Sequence, residues 1–164
     1  MTDAQSDSEL MIEVQNLTKY YGAKAAIKNL SFSIPRGEII GFLGPNGAGK
    51  STTMRIIAGY LSASSGSACI AGFDITKKSE EVRRRIGFMP ENNPLHEDMR
   101  VREYLKFRAR IKGLTSQKSR NRAEEVIEQF DLFDARNSII GELSKGFRQR
   151  VGLADALIHE PELL

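Results

Sequence analysis

Eight consecutive residues, Gly44-Pro45-Asn46-Gly47-Ala48-Gly49-Lys50-Ser51, match the pattern G-x-x-x-x-G-K-[S/T] without a mismatch. Their types suit one task, the solvation of a compact polyanion. Backbone N–H groups can crowd round a triphosphate only where side chains do not block the approach, and glycine both removes the Cβ and permits positive φ. A helix starting near Gly49 adds its unpaired N–H groups and the positive end of its dipole. Lys50 then reaches the β- and γ-phosphates, the Ser51 hydroxyl ligates Mg²⁺, and Thr52 brings a further hydroxyl near the α-phosphate. The competing reading is a glycine-rich turn with no ligand, and the elements around the loop argue against it.

Such a loop needs a strand before it and a helix after it. Ile39-Ile40-Gly41-Phe42-Leu43 is a short apolar run without alternation, which predicts a strand buried on both faces in a parallel sheet. Met54, Ile57, Ala58 and Leu61 recur at i, i+3, i+4 and i+7 and predict a helix that buries that face. Upstream, Met11 to Leu17 and Leu30 to Ile34 alternate with a period of two, as half-buried strands do, and Pro35-Arg36-Gly37-Glu38 reads as a turn. Downstream come a turn at Ser62 to Gly66, a strand at Cys69 to Phe73, a charged helix at Lys78 to Arg85 and a short strand at Ile86 to Met89, stopped by Pro90. From Val101 to about Phe133 the pattern is helical and polar, with Tyr104, Phe107 and Ile111 on one face and Val126, Ile127 and Phe130 on another. The expected architecture is α/β: a P-loop core at 11–91 and 143–164 with an antiparallel β region at its N-terminal side, and a helical insert at 92–142. Residues 1–10 read as a disordered leader.

Composition narrows the function classes. The chain has 164 residues and 24 Lys+Arg against 21 Asp+Glu, a formal net charge of +3. With 40% hydrophobic and 27% charged residues, global disorder and low-complexity architectures are excluded. Cys69 alone forms neither an intrachain disulfide nor a Cys-based zinc cluster. No apolar run approaches the roughly 18–20 residues of a membrane-spanning helix. Between Arg100 and Arg122 stand nine Lys or Arg against the single acid Glu103. Anionic lipid, RNA or an acidic partner would each suit such a stretch, but a solvated helix face whose stems cover apolar surface suits it best. It carries no aromatic-interleaved platform, so no nucleic acid is expected. His96 and His159 read as surface loop residues.

Three further segments bear chemistry. Tyr21-Gly22 stands 23 residues before Gly44 and offers an aromatic face. Gly87-Phe88-Met89-Pro90-Glu91 ends in an acid. In Leu143-Ser144-Lys145-Gly146-Phe147-Arg148-Gln149-Arg150, Ser144 is a good N-cap for a helix whose apolar stripe is Val151, Ala154, Leu157 and Ile158. A capped helix start with serine and glycine can offer N–H groups and a hydroxyl to an anion.

In this order, and with the loop before them, these segments resemble the ATP-binding domain of ABC transporters over nearly the whole chain after residue 10. The resemblance implies that Tyr21, or alternatively Tyr20, stacks on adenine, a contact of roughly 1–3 kcal/mol by analogy with base stacking. It implies that Glu91 stands where the family usually carries glutamine and offers an oxygen to Mg²⁺ or to the attacking water, a Pro-Glu pair that several exporter-type members share. It implies that Ser144 and Gly146 belong to the family's Leu-Ser-Gly-Gly-Gln signature, from which Lys145 and Phe147 depart, and that they meet a γ-phosphate held by an opposite subunit. Lys50 and Glu91 are then the expected catalytic residues. The expected cofactors are ATP and Mg²⁺. The expected partners are a second ATP-binding subunit, paired head to tail, and a multi-span membrane subunit on another chain, with the protein cytoplasmic and peripheral on the inner face of the membrane. In the family the Walker B aspartate, the catalytic glutamate and a γ-phosphate histidine come later than Leu164, so this chain is expected to be a C-terminally truncated domain that binds ATP weakly and hydrolyses little. The alternatives are a soluble ABC-type ATPase acting on ribosomes or DNA, and a non-catalytic nucleotide-binding fragment.

Overall fold

The computed structural model describes residues 10–164. The expected leader lies outside them except for Leu10, which is the first residue of strand β1 (Leu10–Tyr21). This strand pairs antiparallel with β2 (Lys24–Pro35) through a two-residue turn, Gly22-Ala23, that sets Tyr21 opposite Lys24. On its other edge β1 pairs antiparallel with β3 (Ser65–Ile70), and β3 with the short β4 (Phe73–Asp74), giving the order β2-β1-β3-β4. The strand expected across Cys69 to Phe73 is thus broken by a turn at Ala71-Gly72.

The pleat of β1 is interrupted at Asn16, which has φ +49° and lies where the pairing slips on both edges. The bulge is braced locally: the Asn16 N–H donates to Ser31 Oγ at 2.8 Å, and Thr18 Oγ1 accepts from the Asn29 N–H at 3.0 Å. Gly66 of β3 fits over this bulge. It has φ +85°, and a Cβ there would stand 2.4 Å from the Asn16 carbonyl oxygen, so no other residue can bring β3 this close.

Helix α1 (Lys50–Ile57) follows the glycine-rich loop, as expected, but buries a different face. Thr53, Ile56, Ile57 and Ala58 are inside while Met54 is 45% exposed. The strand expected at 39–43 does not form. Those residues are irregular, with Ile39 99% and Leu43 92% exposed. A doubly buried strand takes its stability from neighbours on both edges and layers on both faces. Here β1 to β4 close their sheet without it, and no strand among the described residues pairs with it.

The chain divides into two compact units, to Arg83 and from Arg84, the boundary falling inside α2 (Ser79–Arg85). The second unit is a helical cluster of α3 (Val101–Ile111), α4 (Ser116–Gln129) and α5 (Lys145–Leu157). Its core is Val101, Tyr104, Leu105, Ala109, Ala123, Val126, Ile127, Leu132, Ile140, Val151, Ala154 and Ile158. Of the expected stripes, Val126 and Ile127 on α4 and Val151, Ala154 and Ile158 at α5 are inside, while Phe130 and Leu157 are half-buried. On α3, of the expected trio only Tyr104 is buried, and Phe107 and Ile111 are 40% and 58% exposed. The face that packs runs through Val101, Tyr104, Leu105 and Ala109, a stripe rotated from the expected one. Most of the basic stretch is engaged: Arg100 donates to the Asn137 carbonyl, and Arg102 pairs with Glu124 at 2.8 Å. Arg122 spans α4 and the end of α5, donating to the Leu157 and Ile158 carbonyls at 3.1 and 3.3 Å. No helix among the described residues is long and apolar enough to cross a membrane.

A polar group sits inside this cluster. Asp155 accepts from the Tyr104 hydroxyl at 2.9 Å and from Arg108 Nε at 2.7 Å. Burial, and next the Asp155 charge, push the Tyr104 hydroxyl far above the ordinary tyrosine range. His159 is not the surface residue expected. It is half-buried and its Nε2 lies 3.1 Å from the Ile86 carbonyl, to which it must donate. Burial, aided by the charge of Lys112, lowers its pKa from the ordinary 6.5 to about 4. Ile86 itself makes an isolated parallel bridge with Leu163, so the strand expected at Ile86 to Met89 shrinks to one residue.

Gly66→Ala is expected to destabilise the first unit by about 1–3 kcal/mol, read from urea unfolding, because it strains the backbone and pushes β3 off the bulge. For His159 the unfolded state takes up a proton near pH 6.5 and the folded state near pH 4. The stability it contributes is therefore present above pH 6.5 and falls as the pH drops through that window. The denaturation midpoint should fall more steeply from pH 7 to pH 5 in the parent than in His159→Gln, which keeps a donor for Ile86 but does not titrate.

Candidate functional site

The loop 44–49 is built from the turn up to the helix. The Ala48 N–H donates to the Pro45 carbonyl at 3.2 Å and closes the turn. Gly49, with φ +86°, is the N-cap of α1 and sits against β2: a Cβ there would stand 2.4 Å from the Ala26 carbonyl oxygen. The first helical bond runs from the Thr53 N–H to the Gly49 carbonyl at 2.8 Å, and the Thr53 hydroxyl donates to the same oxygen at 3.0 Å. The N–H groups before Thr53 consequently have no partner inside α1. No acid stands in the first turn to compete for them.

Lys50 folds back over this loop. Its Nζ donates to the carbonyls of Gly44 and Pro45 at 2.6 and 2.8 Å. A cation, a helix N-terminus and a loop of backbone amides are thus gathered within eight residues, with Ser51 exposed beside them and Thr52 half-buried. The set fits a polyphosphate: donors and positive charge only, no side-chain acid, and a hydroxyl able to ligate a hard cation. Asn46, Gly47 and Ala48 form the exposed crest of the loop. In the same unit, Tyr20 and Tyr21 end β1 with their rings exposed, and Lys19 Nζ lies 5.6 Å from the Tyr21 ring centre.

The remaining expected residues belong to the second unit. Ser144 caps α5, its hydroxyl accepting from the Phe147 N–H at 3.3 Å. The departure at Phe147 has a packing reason: its ring lies on the helical core, with Arg150 5.6 Å from the ring centre. Arg148 donates to the Leu143 carbonyl at 2.7 Å and braces the turn before the cap. Gly146 is exposed, and a Cβ there would meet nothing closer than Ser144 Oγ at 3.9 Å, so packing within this chain does not require glycine. Glu91 is exposed in the loop after Pro90. The two expected magnesium ligands, Ser51 and Glu91, therefore stand in different units. Reasoning from sequence misses Asp155, the hub of the buried polar group. It also misses Gly87 and Gly152, where glycine admits a neighbour (a Cβ at Gly87 would stand 2.3 Å from the Ala156 carbonyl oxygen). Only the glycine inside a helix, which costs roughly 1 kcal/mol against alanine, was a visible signal.

Residues 27–164 match the family model described as ABC transporter. The linearmycin resistance ATP-binding protein of Bacillus subtilis is 38% identical over 154 residues, 94% of this chain and 50% of that protein. The bacitracin transport ATP-binding protein of Bacillus licheniformis is likewise 38% identical, over 94% of this chain and 49% of its own length. This chain thus spans about half the length of these relatives. Among solved structures, an ATP-binding subunit of an ABC transporter superposes with a TM-score of 0.82 at 31% identity, covering 92% of this chain and 63% of its own. A dimeric ATP-binding cassette in a post-hydrolysis state with ADP and Pi gives 0.81 at 29% identity, covering 92% and 71%. The fold is accordingly the α/β P-loop fold of these ATPase domains, and the chain belongs to the ABC transporter family.

Proposed function

We propose that this protein is the ATP-binding subunit of an ABC transporter, which binds Mg-ATP and, as a whole protein, hydrolyses it to drive a membrane subunit on another chain. The observation that carries this reading is the loop around Lys50, whose ammonium is already held over the helix N-terminus by two carbonyls of the loop itself. A triphosphate offers better acceptors than either carbonyl, and the bonds it would make are charge-assisted at both ends. Gly44 to Gly49 would wrap the phosphates, Lys50 would meet the β- and γ-phosphates, and Thr52 the α-phosphate. Ser51 would hold Mg²⁺, joined by Glu91 in the assembled site. When bound there, the cation would supply charge neutralisation for the phosphates. Tyr21 would stack on the base. Ser144 and Gly146 would face the γ-phosphate of a second subunit, and the open space at Gly146 supports a close approach there.

The partners follow from the relatives rather than from this chain. Those relatives are named for resistance and transport, and a further neighbour is described as part of an ABC transporter complex. A dimer with a membrane subunit, peripheral to the inner face of the membrane, is the arrangement they support.

Lys50→Ala should weaken Mg-ATP binding by about 1.5–3 kcal/mol, tenfold or more, in titration calorimetry, since one charged donor is lost. Unchanged affinity would defeat the phosphate assignment. Tyr21→Ala should cost ATP about 1–3 kcal/mol while leaving inorganic tripolyphosphate binding as it was. The same pattern from Tyr20→Ala instead would move the stacking role to the neighbouring ring.

A further inference from the structure

The segment that carries Glu91 is laid along α5 and touches it at two points. At its start, the Gly87 N–H donates to the Leu163 carbonyl at 2.8 Å, and His159 Nε2 holds the Ile86 carbonyl at 3.1 Å. Gly87 then comes against the helix so closely that a Cβ would stand 2.3 Å from the Ala156 carbonyl oxygen and 2.9 Å from Pro161 Cγ. At its end, the Asn93 side chain lies over Gly152. A Cβ on Gly152 would be 1.7 Å from Asn93 Nδ2 and 2.7 Å from its Cγ. Gly152 and Ala156 are four residues apart and so lie on one stripe of α5. Glu91 is exposed between these two points.

The second contact has an unusual chemistry. Asn93 Nδ2 is buried and has no hydrogen-bond partner. A buried amide left without an acceptor is destabilising, and so is a glycine inside a helix relative to alanine. Two unfavourable choices meet at one place, and an apolar pair would fill the same space without either cost. What the pair does supply is a short side chain seated in a notch, directly after the loop that bears the acid.

We propose that Asn93 is a positioning residue: it pegs the Glu91 loop into the notch above Gly152, so that Glu91 and the Ser144 end of α5 move as one body. The role rests on the reading of Glu91 given above and goes beyond it, because the peg touches neither nucleotide nor metal. It acts by removing freedom from the loop, and a misplacement of about 1 Å at a reacting centre is enough to cost two orders of magnitude in rate.

The test uses the purified protein in its native chain, with Asn93→Ala, Gly152→Ala and the double variant. The readouts are ATP turnover, the melting temperature and hydrogen exchange of residues 87–93. Each single variant should lower kcat about tenfold with the KM for ATP within about twofold of the parent, and should speed exchange in the loop. In the double variant the alanine methyl occupies the space the amide left. Its melting temperature should return close to that of the parent while kcat and loop exchange stay at the single-variant level. Recovery of kcat together with the melting temperature would reduce the contact to packing and overturn the proposal, as would unchanged loop exchange in Asn93→Ala. Should Gly152→Ala fail to fold, Asn93→Ala alone carries both readouts. A parent without Lys50-dependent ATP binding would defeat the nucleotide reading, not the peg, which loop exchange then decides by itself.

Discussion

Close approach of one backbone to another is the constraint on which this protein depends. A Cβ holds main chains apart, and here it is missing where they must meet. Gly66 lets β3 close over the bulge of β1, and Gly49 lets the phosphate-binding loop turn against β2. Gly87 lets the acidic loop lie on α5. In each case the neighbour is a carbonyl oxygen, which no rotamer change can move aside. The glycine-rich loop is thus placed by bare backbone against its own sheet, and the same bare backbone is what the proposed phosphate site would use.

The local features of the site were legible because their causes are local. The eight-residue loop carries its turn, its cap and its cation within itself, and the hydrogen bonds of Lys50 and Thr53 stay inside it. Ser144 is similar: a serine before an apolar helical stripe caps whatever helix follows, and its bond to the Phe147 N–H spans three residues. Parts of β1 and β2 declared themselves through alternation, at 11–17 and 30–34, while the two-residue turn that joins them was not read. Face assignments were harder. Phe107 and Ile111 on α3 and Met54 on α1 are apolar residues left outside, and Thr53 is a polar one taken in. Which side of a short helix is covered depends on neighbours remote in sequence, and single-residue hydrophobicity does not record them.

The run at 39–43 shows the same limit more sharply. Its composition asks for a strand covered on both faces, and the described residues supply neither edge partner nor cover. A pattern in sequence states what environment a segment suits, and the rest of the fold decides whether that environment exists. Asp155 errs in the other direction. Nothing near it in the sequence marks it as internal, because its partners Tyr104 and Arg108 are 51 and 47 residues away. Together they make a buried charge tolerable: one hydroxyl and one guanidinium supply the donors a carboxylate needs away from water.

Arg122 gives α5 an ending that the helix does not have in its own sequence. No basic residue stands in the last turn of α5, and its terminal carbonyls are taken by a guanidinium from α4. One end of α5 is in effect bolted to its neighbour, while the other ends in an exposed serine and glycine. A push on the free end therefore meets a fulcrum. The helix can swing about that point but cannot easily slide along its own axis, since sliding would tear two charge-assisted bonds at once. Under the pairing proposed above with a second subunit, this geometry would turn contact at the tip into a lever arm, with α4 as its mounting.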